Sequence, residues 1–342
     1  YQNIKKDVFQ DGTVGVDFGG PDTFDTADYL GSTTTVALFG FGDYKLTDKL
    51  TVSAGFRYDI DKFSQDDFLT EAPAVVNSER SNNEFQPKVS LSYQASKNVL
   101  FYANFGRGYR NGGFNAQATD FFDREFDDEI SDNYEFGFKT TTWNDRFIFN
   151  GSIFSTNLTN QQQYILDLNT FIAGIYNYEE TKVFGFELET RARLSNWLDV
   201  FANFGLSDAE IVKGGSAGIT DYSIYNGQKV PFVPVSSFGI GLESSFKITD
   251  DLKFNGFLNL DTTGKTYYHE SNLDKHTTDS YSLLDARIGL SYKNWKLDVW
   301  GKNLADTQYY REFSPGKFVG SPDDVAWRGQ PLSIGTAISV KF

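Results

Sequence analysis

GRGYRNGGF (106–114) sets two guanidiniums, a phenol, an amide and a ring close together: Arg107, Tyr109, Arg110, Asn111 and Phe114. Arginine suits carboxylate or catecholate oxygens, and aromatic rings suit planar groups or cations. The stretch therefore reads either as a recognition patch for a bulky ligand or as a strand end with interfacial aromatics before a glycine turn. TYYHE (266–270) and QYYREF (308–313) add Tyr267, Tyr268, His269, Tyr309, Tyr310 and Arg311. There an interfacial aromatic belt is the favoured reading. NQQQY (160–164) offers amides to a polar ligand, or is simply loop.

Other chemistry finds little footing. Cysteine is absent, which excludes thiolate catalysis, zinc–thiolate sites and disulfides. The two histidines, His269 and His276, lie in or beside one loop with no nucleophile motif, so no enzyme is expected. The acidic run DFFDREFDDEISD (120–132) could bind calcium, but it lacks the spaced ligands and bend-forming glycine of a known loop. A solvated loop fits it better. Neither a metal site nor a cofactor is expected. With 46 acidic residues against 31 Lys and Arg, the net charge of −15 argues against a nucleic-acid partner.

The elements that must position these residues alternate with period two. LTVSAGFRYDI places Leu50, Val52, Phe56, Tyr58 and Ile60 on one face, with Arg57 and Asp59 on the other. VFGFELETRARL sets Phe184, Phe186 and Leu188 against Glu187, Glu189, Arg191 and Arg193, and LLDARIGLSY behaves likewise around Asp285 and Arg287. Such alternation marks strands. Short turns at 46–49, 95–98, 143–145, 195–197, 248–251 and 293–295 each carry Asn or Asp, as tight turns prefer. They alternate with long connections at about 62–83, 110–131, 160–181, 208–233, 268–280 and 306–329. About 13 strands are legible, with another near 1–9 and extensions into 163–178.

A mean hydropathy of −0.41 and the lack of a long apolar run exclude a helical membrane protein. They do not exclude a β-barrel, whose strands alternate lipid-facing and water-facing residues. Strands of about 10–14 residues suit a tilted crossing better than a soluble sandwich. Charges on the second face suit a wet lumen, where they would pair across strands. Trp143, Trp197 and Trp295 at short turns suit an interfacial belt. The expected class is an all-β, antiparallel, up-and-down transmembrane barrel. The last strand, PLSIGTAISVKF, alternates Ile334, Thr336, Ile338, Val340 and Phe342 with smaller or polar residues.

NVLFYANFGRGYRNGGFNAQ (98–117), NYEFGFKTTTWNDRFIFNGSIFSTNLTNQQ (133–162), KVFGFELETRARLSNWLDVFANFGLSDAEI (182–211) and WGKNLADTQYYREF (300–313) resemble the barrel of TonB-dependent outer-membrane receptors. The iron-complex branch is the nearest, and GFRYD followed by FQPKVSLSY fits the same order. The resemblance covers nearly the whole chain, 1–342. It implies a 22-stranded barrel of which about 14 strands are present, with the plug and energy-coupling box lying outside this sequence. The chain is thus expected to be the C-terminal portion of a longer, Gram-negative outer-membrane protein, with its C-terminus on the periplasmic side. Terminal Phe342 resembles the signature read by the barrel-assembly machinery. The implied activity is energy-coupled uptake of a scarce bulky solute, a ferric siderophore first, with cobalamin or an oligosaccharide as alternatives. Haem is disfavoured because only His269 and His276 could supply an axial ligand. The implied partners are the inner-membrane TonB complex acting through the plug, lipid and lipopolysaccharide, and the ligand. The rivals are a passive or fatty-acid-type channel with a complete 14-strand barrel and, far behind, an outer-membrane protease or phospholipase.

Overall fold

The computed structural model describes residues 2–10, 28–68, 75–167, 172–314, 316 and 322–342. One antiparallel sheet of 14 strands runs through them in sequence order. Its strands are β1 (Gln2–Gln10), β2 (Asp28–Lys45), β3 (Leu50–Phe68), β4 (Val75–Ser96), β5 (Val99–Arg110), β6 (Glu129–Thr142) and β7 (Phe147–Asp167). There follow β8 (Ile172–Ser195), β9 (Leu198–Lys213), β10 (Ser236–Lys247), β11 (Leu252–Thr263), β12 (Tyr281–Tyr292), β13 (Trp295–Lys302) and β14 (Ser333–Val340). Each strand pairs with its neighbours in sequence. Among the described residues β1 and β14 do not pair, so these strands alone do not form a closed 14-strand cylinder.

One face carries exposed apolar side chains, among them Phe56, Val89, Phe136, Phe184, Ile240 and Ile288. Cross-strand partners such as Phe186↔Leu206 and Leu258↔Leu242 keep that face continuous. A one-residue slip would send charges into it, so the register is strongly specified. The opposite face carries Arg57, Asp59, Glu187, Arg191 and Asp285.

The two ends differ. At one end the turns are tight. Thr47 Oγ1 accepts from the backbone N–H groups of Lys49 (3.2 Å) and Leu50 (3.0 Å), and Thr249 Oγ1 accepts from Leu252 N–H (3.1 Å). Trp143, Asn144 and Asp145 all take positive φ, as such a hairpin requires. The exposed indoles of Trp143, Trp197 and Trp295 gather at this end.

At the other end two expected loops are largely strand. β3 reaches Phe68 and β4 begins at Val75, so most of 62–83 is a ladder. Likewise β7 reaches Asp167 and β8 begins at Ile172, leaving little of 160–181 as loop. The extension expected into 163–178 is present at 163–167 and 172–178, whereas that into 62–83 was hidden by polar residues, because the strands continue beyond the apolar band. The remaining loops are 111–128, 214–235, 264–280 and 303–332, whose described parts hold short hairpins and two single 3-10 turns.

Candidate functional site

The long-loop end contains a dry core of the kind a soluble protein has. Phe122, Tyr176, Tyr178, Ala209, Ile211, Ala217, Tyr222 and Val230 are buried together. Tyr176 stacks on Tyr222 with centroids 4.0 Å apart, and Tyr178 meets Tyr176 edge-on at 5.2 Å. The phenols of Tyr176 and Tyr178 hydrogen-bond at 2.9 Å, and Tyr222 donates to the carbonyl of Phe121 at 2.7 Å. Burial pushes the Tyr222 phenol well above its ordinary value. Gly174 lies against Phe122: a Cβ there would come within 2.5 Å of the ring.

These tyrosines face inward because the strands change phase. Below, Thr181 and Gly185 are buried on the inner side; above, Gly174, Tyr176 and Tyr178 are. Between Tyr178 and Thr181 the spacing is three. The ladder passes from Tyr178↔Gln161 to Glu180↔Thr159, and Asn160 in the gap sits at φ 54°. The β8–β9 register slips beside it, between Glu180 and Thr181. Asparagine tolerates that left-handed conformation better than a branched residue would.

Four loops are joined in series around this core. Asn115, buried, donates to Ile175 O (2.8 Å) and Asp123 O (2.7 Å) and accepts from Ile175 N–H (2.7 Å), pinning 111–128 to β8. Thr220 donates to Asp120 O at 2.6 Å, tying 214–235 to that loop. Phe232 N–H donates to Tyr267 O at 2.7 Å, and Asn272 donates to Lys229 O at 3.0 Å, tying in 264–280. Tyr268 donates to Tyr310 O at 3.0 Å, and Asp324 accepts from Lys275 (2.7 Å) and meets His276 Nε2 (2.9 Å), which adds 303–332.

The residues singled out from sequence fall into two groups at this end. Arg107 is committed within the sheet: it forks onto Asp132 (2.7 and 2.8 Å) and lies 3.6 Å from Glu84. Tyr109 donates to Asp61 at 3.1 Å and accepts from Asn82 at 3.0 Å. These side chains fill the gap where β4 leaves β5 above Lys88↔Gly106, next to Pro87, which has no N–H for the ladder. Asn111 accepts from Gln162 through its backbone carbonyl (2.8 Å), and its side-chain oxygen lies against the Tyr109 hydroxyl. Phe114 stacks on Phe63 at 5.8 Å, and Arg110 is exposed.

In the second group Tyr268 is buried beside Phe232 and Phe313. Tyr267 lies under the Lys265 ammonium at 5.0 Å, and Tyr309 stacks on Tyr281 at 4.3 Å. Tyr310 and Arg311 are exposed. His269 Nδ1 meets Ser271 Oγ at 3.1 Å and Glu270 at 3.3 Å. Among the described residues no group of three or more His, Cys, Asp or Glu could hold a metal ion.

Midway down, the inner face is open and charged. A cavity of about 640 Å³ is lined by Tyr102, Asn150, Glu187, Glu189, Asn203 and Glu243, among others. Arg191 reaches Asp199 and Glu243, both at 2.9 Å, and Arg193 reaches Asp199 at 2.9 Å. Arg57 pairs with Asp59 at 2.7 Å, Asp285 accepts from Asn303 N–H at 2.9 Å, and Arg287 lies over Phe257 at 5.9 Å. The pairs of Arg191 and Arg193 with Asp199 and Glu243 cross strands as expected, whereas Arg57 pairs along its own strand and Arg287 meets a ring. Sequence reasoning missed the partners Asp199 and Glu243, and also Asn115, Tyr176, Tyr178, Tyr222 and Phe232. The alternating tyrosines of GIYNYEE (174–180) were the available signal for two of them.

The sequence matches the family "TonB dependent receptor-like, beta-barrel" over residues 1–304, and the chain belongs to it. It is 24% identical over 299 residues to a probable TonB-dependent siderophore receptor, PiuA, of Acinetobacter baumannii, covering 83% of this chain and 38% of that protein. It is 25% identical to the pesticin receptor of Yersinia pestis, over 83% of this chain and 42% of that one. It is 24% identical to the heme transporter BhuA of Brucella ovis, over 95% and 48%. The chain thus spans less than half the length of these relatives. The fold matches the ferric yersiniabactin uptake receptor FyuA from Yersinia pestis with a TM-score of 0.75 at 21% identity, over 92% of this chain and 47% of that one. It also matches the unliganded ferric citrate transporter FecA, with a TM-score of 0.71 at 18% identity, over 93% and 46%.

Proposed function

We propose that this chain is the C-terminal barrel portion, 1–342, of an outer-membrane receptor that takes up a scarce bulky solute by TonB-dependent coupling. A ferric siderophore is the first candidate ligand. The observation that carries this reading is the pairing of an open, charged inner wall with linked aromatic loops at one end. A capture surface above a water-filled passage needs both. The names of the relatives support the iron ligand. The long-loop end faces outside and the C-terminus, with Phe342 as the assembly signal, faces the periplasm. Coupling to the inner-membrane complex runs through a plug in the part of the relatives that this chain does not match. Lipid and lipopolysaccharide surround the apolar face.

In this reading ligand contact falls to the exposed Arg110, Tyr310 and Arg311, while Arg107, Tyr109, Asn111, Phe114, Tyr267, Tyr268, His269 and Tyr309 hold the loops in shape. His276 is engaged by Asp324 and His269 by Ser271, so haem ligation would require breaking those contacts. The unclosed sheet gives the passive 14-strand channel no support among the described residues.

Uptake of labelled ferric chelates by iron-starved cells, with and without the gene, tests the function. Loss of uptake of at least one chelate, restored by the gene, is expected. Unchanged uptake of every chelate together with lost uptake of cobalamin or an oligosaccharide would replace the iron ligand. In the same assay Arg110→Ala is expected to weaken affinity roughly tenfold, about 1.4 kcal/mol.

A further inference from the structure

Phe232 is held in a conformation that its own side chain opposes. Its φ is 65°, a region in which a bulky residue is a genuine outlier. Trp143 and Lys293 share the region, but they stand in hairpin turns that need it. Phe232 stands instead in VPFVPV, between Pro231 and Pro234, with its N–H bonded to Tyr267 O at 2.7 Å. Val230 is buried in the aromatic core and Val233 packs against it, yet the larger ring between them is 55% exposed. Simple folding would favour the reverse on both counts. Strain kept at an exposed aromatic residue points to binding, since such outliers gather at ligand clamps.

The surroundings narrow the ligand. Tyr268 meets the Phe232 ring edge-on at 5.4 Å, Phe313 lies 5.5 Å behind Tyr268, and Tyr310 lies 5.1 Å from Phe313. Together they make an aromatic shelf with Phe232 at its exposed end. The charge around it is unfavourable to an anion, because acidic residues outnumber Lys and Arg across 111–128, 214–235, 264–280 and 303–332. Arg311 stays exposed beside Tyr310, but four of the other cations there are already engaged. Arg124 donates to the carbonyl of Asn115, Lys229 pairs with Asp208, Lys265 with Asp274, and Lys275 with Asp324.

We propose that Phe232 and this shelf seat a flat aromatic ring of the ligand, and that the ligand carries no net negative charge. This rests on the receptor reading above and names the ligand class for the same loops.

The test uses the full-length receptor and three ferric chelates as probes: a neutral one bearing a phenolic ring, a neutral tris-hydroxamate without a ring, and a trianionic tris-catecholate. The neutral aromatic chelate is expected to bind about tenfold or more tighter than the other two. Phe232→Gly should abolish that margin while leaving the thermal midpoint unchanged or raised, because glycine takes positive φ without a clash. Phe232→Tyr should retain the margin. Wild-type preference in Phe232→Gly overturns the proposal. So does equal or tighter binding of the trianion, or a lowered midpoint with all three affinities falling together. If the chelates bind without regard to ring, charge or Phe232, the receptor reading stands and this inference alone falls. If none binds, this inference falls, and the uptake assay with cobalamin or an oligosaccharide decides the receptor reading separately.

Discussion

The same two strands, β8 and β9, build a wet wall below and a dry core above. Below Thr181 their inward side chains are charged, half-exposed and paired through Arg191, Arg193, Asp199 and Glu243. Above it they are tyrosine, alanine and isoleucine, sealed by Phe122 and Tyr222 from two loops. In the wet region each ion pair competes with water and contributes little, and order comes from the hydrogen-bonded ladder. In the dry region burial itself supplies the stability. Loops that would otherwise be loose thereby gain a fixed shape, and a fixed shape is what a recognition surface requires.

Substitutions in the two regions should differ accordingly. The largest effect is expected from Tyr222→Ala, which empties the centre of the aromatic stack. Buried aromatic truncations cost about 3–5 kcal/mol, and here the loss should appear as faster amide exchange in 111–128 and 214–235. Exchange unchanged in those loops would show that the dry core does not order them. Asn115→Ala comes next. It strands Ile175 N–H, for roughly 1–3 kcal/mol, and should free 111–128 while 264–280 stays protected. As the wet-wall counterpart, Asp199→Asn should leave exchange at the long-loop end untouched. Any loosening there would mean that the two regions are not separable.

The smallest effect concerns pH. Hydrogen bonds from Lys275, then His276, then the Gly316 N–H hold the Asp324 carboxyl well below the ordinary carboxylate range. A folded value below the unfolded one stabilises the tie fully above the ordinary carboxylate range, and that stabilisation disappears as pH falls through the folded value. Protease cleavage within 264–280 should therefore rise only at strongly acid pH in the wild type. In Asp324→Asn it should already be raised at neutral pH, and identical profiles for the two proteins would remove the tie.

Much of this comparison was visible in the residues. The alternation around Phe184–Arg193 and Leu284–Tyr292 showed strands with an oily and a charged side, and the Asn- and Asp-bearing turns showed which end is short. The dry core was hidden because GIYNYEE interleaves tyrosine with asparagine and glutamate, beyond the apolar band, and then breaks its own period. The partners of Arg107 were hidden for another reason. Asp132 and Glu84 lie on different strands, and pairing at that distance depends on register, which composition does not encode. His276 meeting Asp324 across two loops is the same case.

Asn160 carries a consequence of its own. A valine or isoleucine there would resist the left-handed backbone and favour an uninterrupted pleat. A pleat unbroken in both β7 and β8 would turn Tyr176 and Tyr178 toward the apolar face, and Phe122 would lose its seat. The mouth of the molecule thus owes its keystone to a paired break in the pleat, at Asn160 on one strand and between Tyr178 and Thr181 on the next.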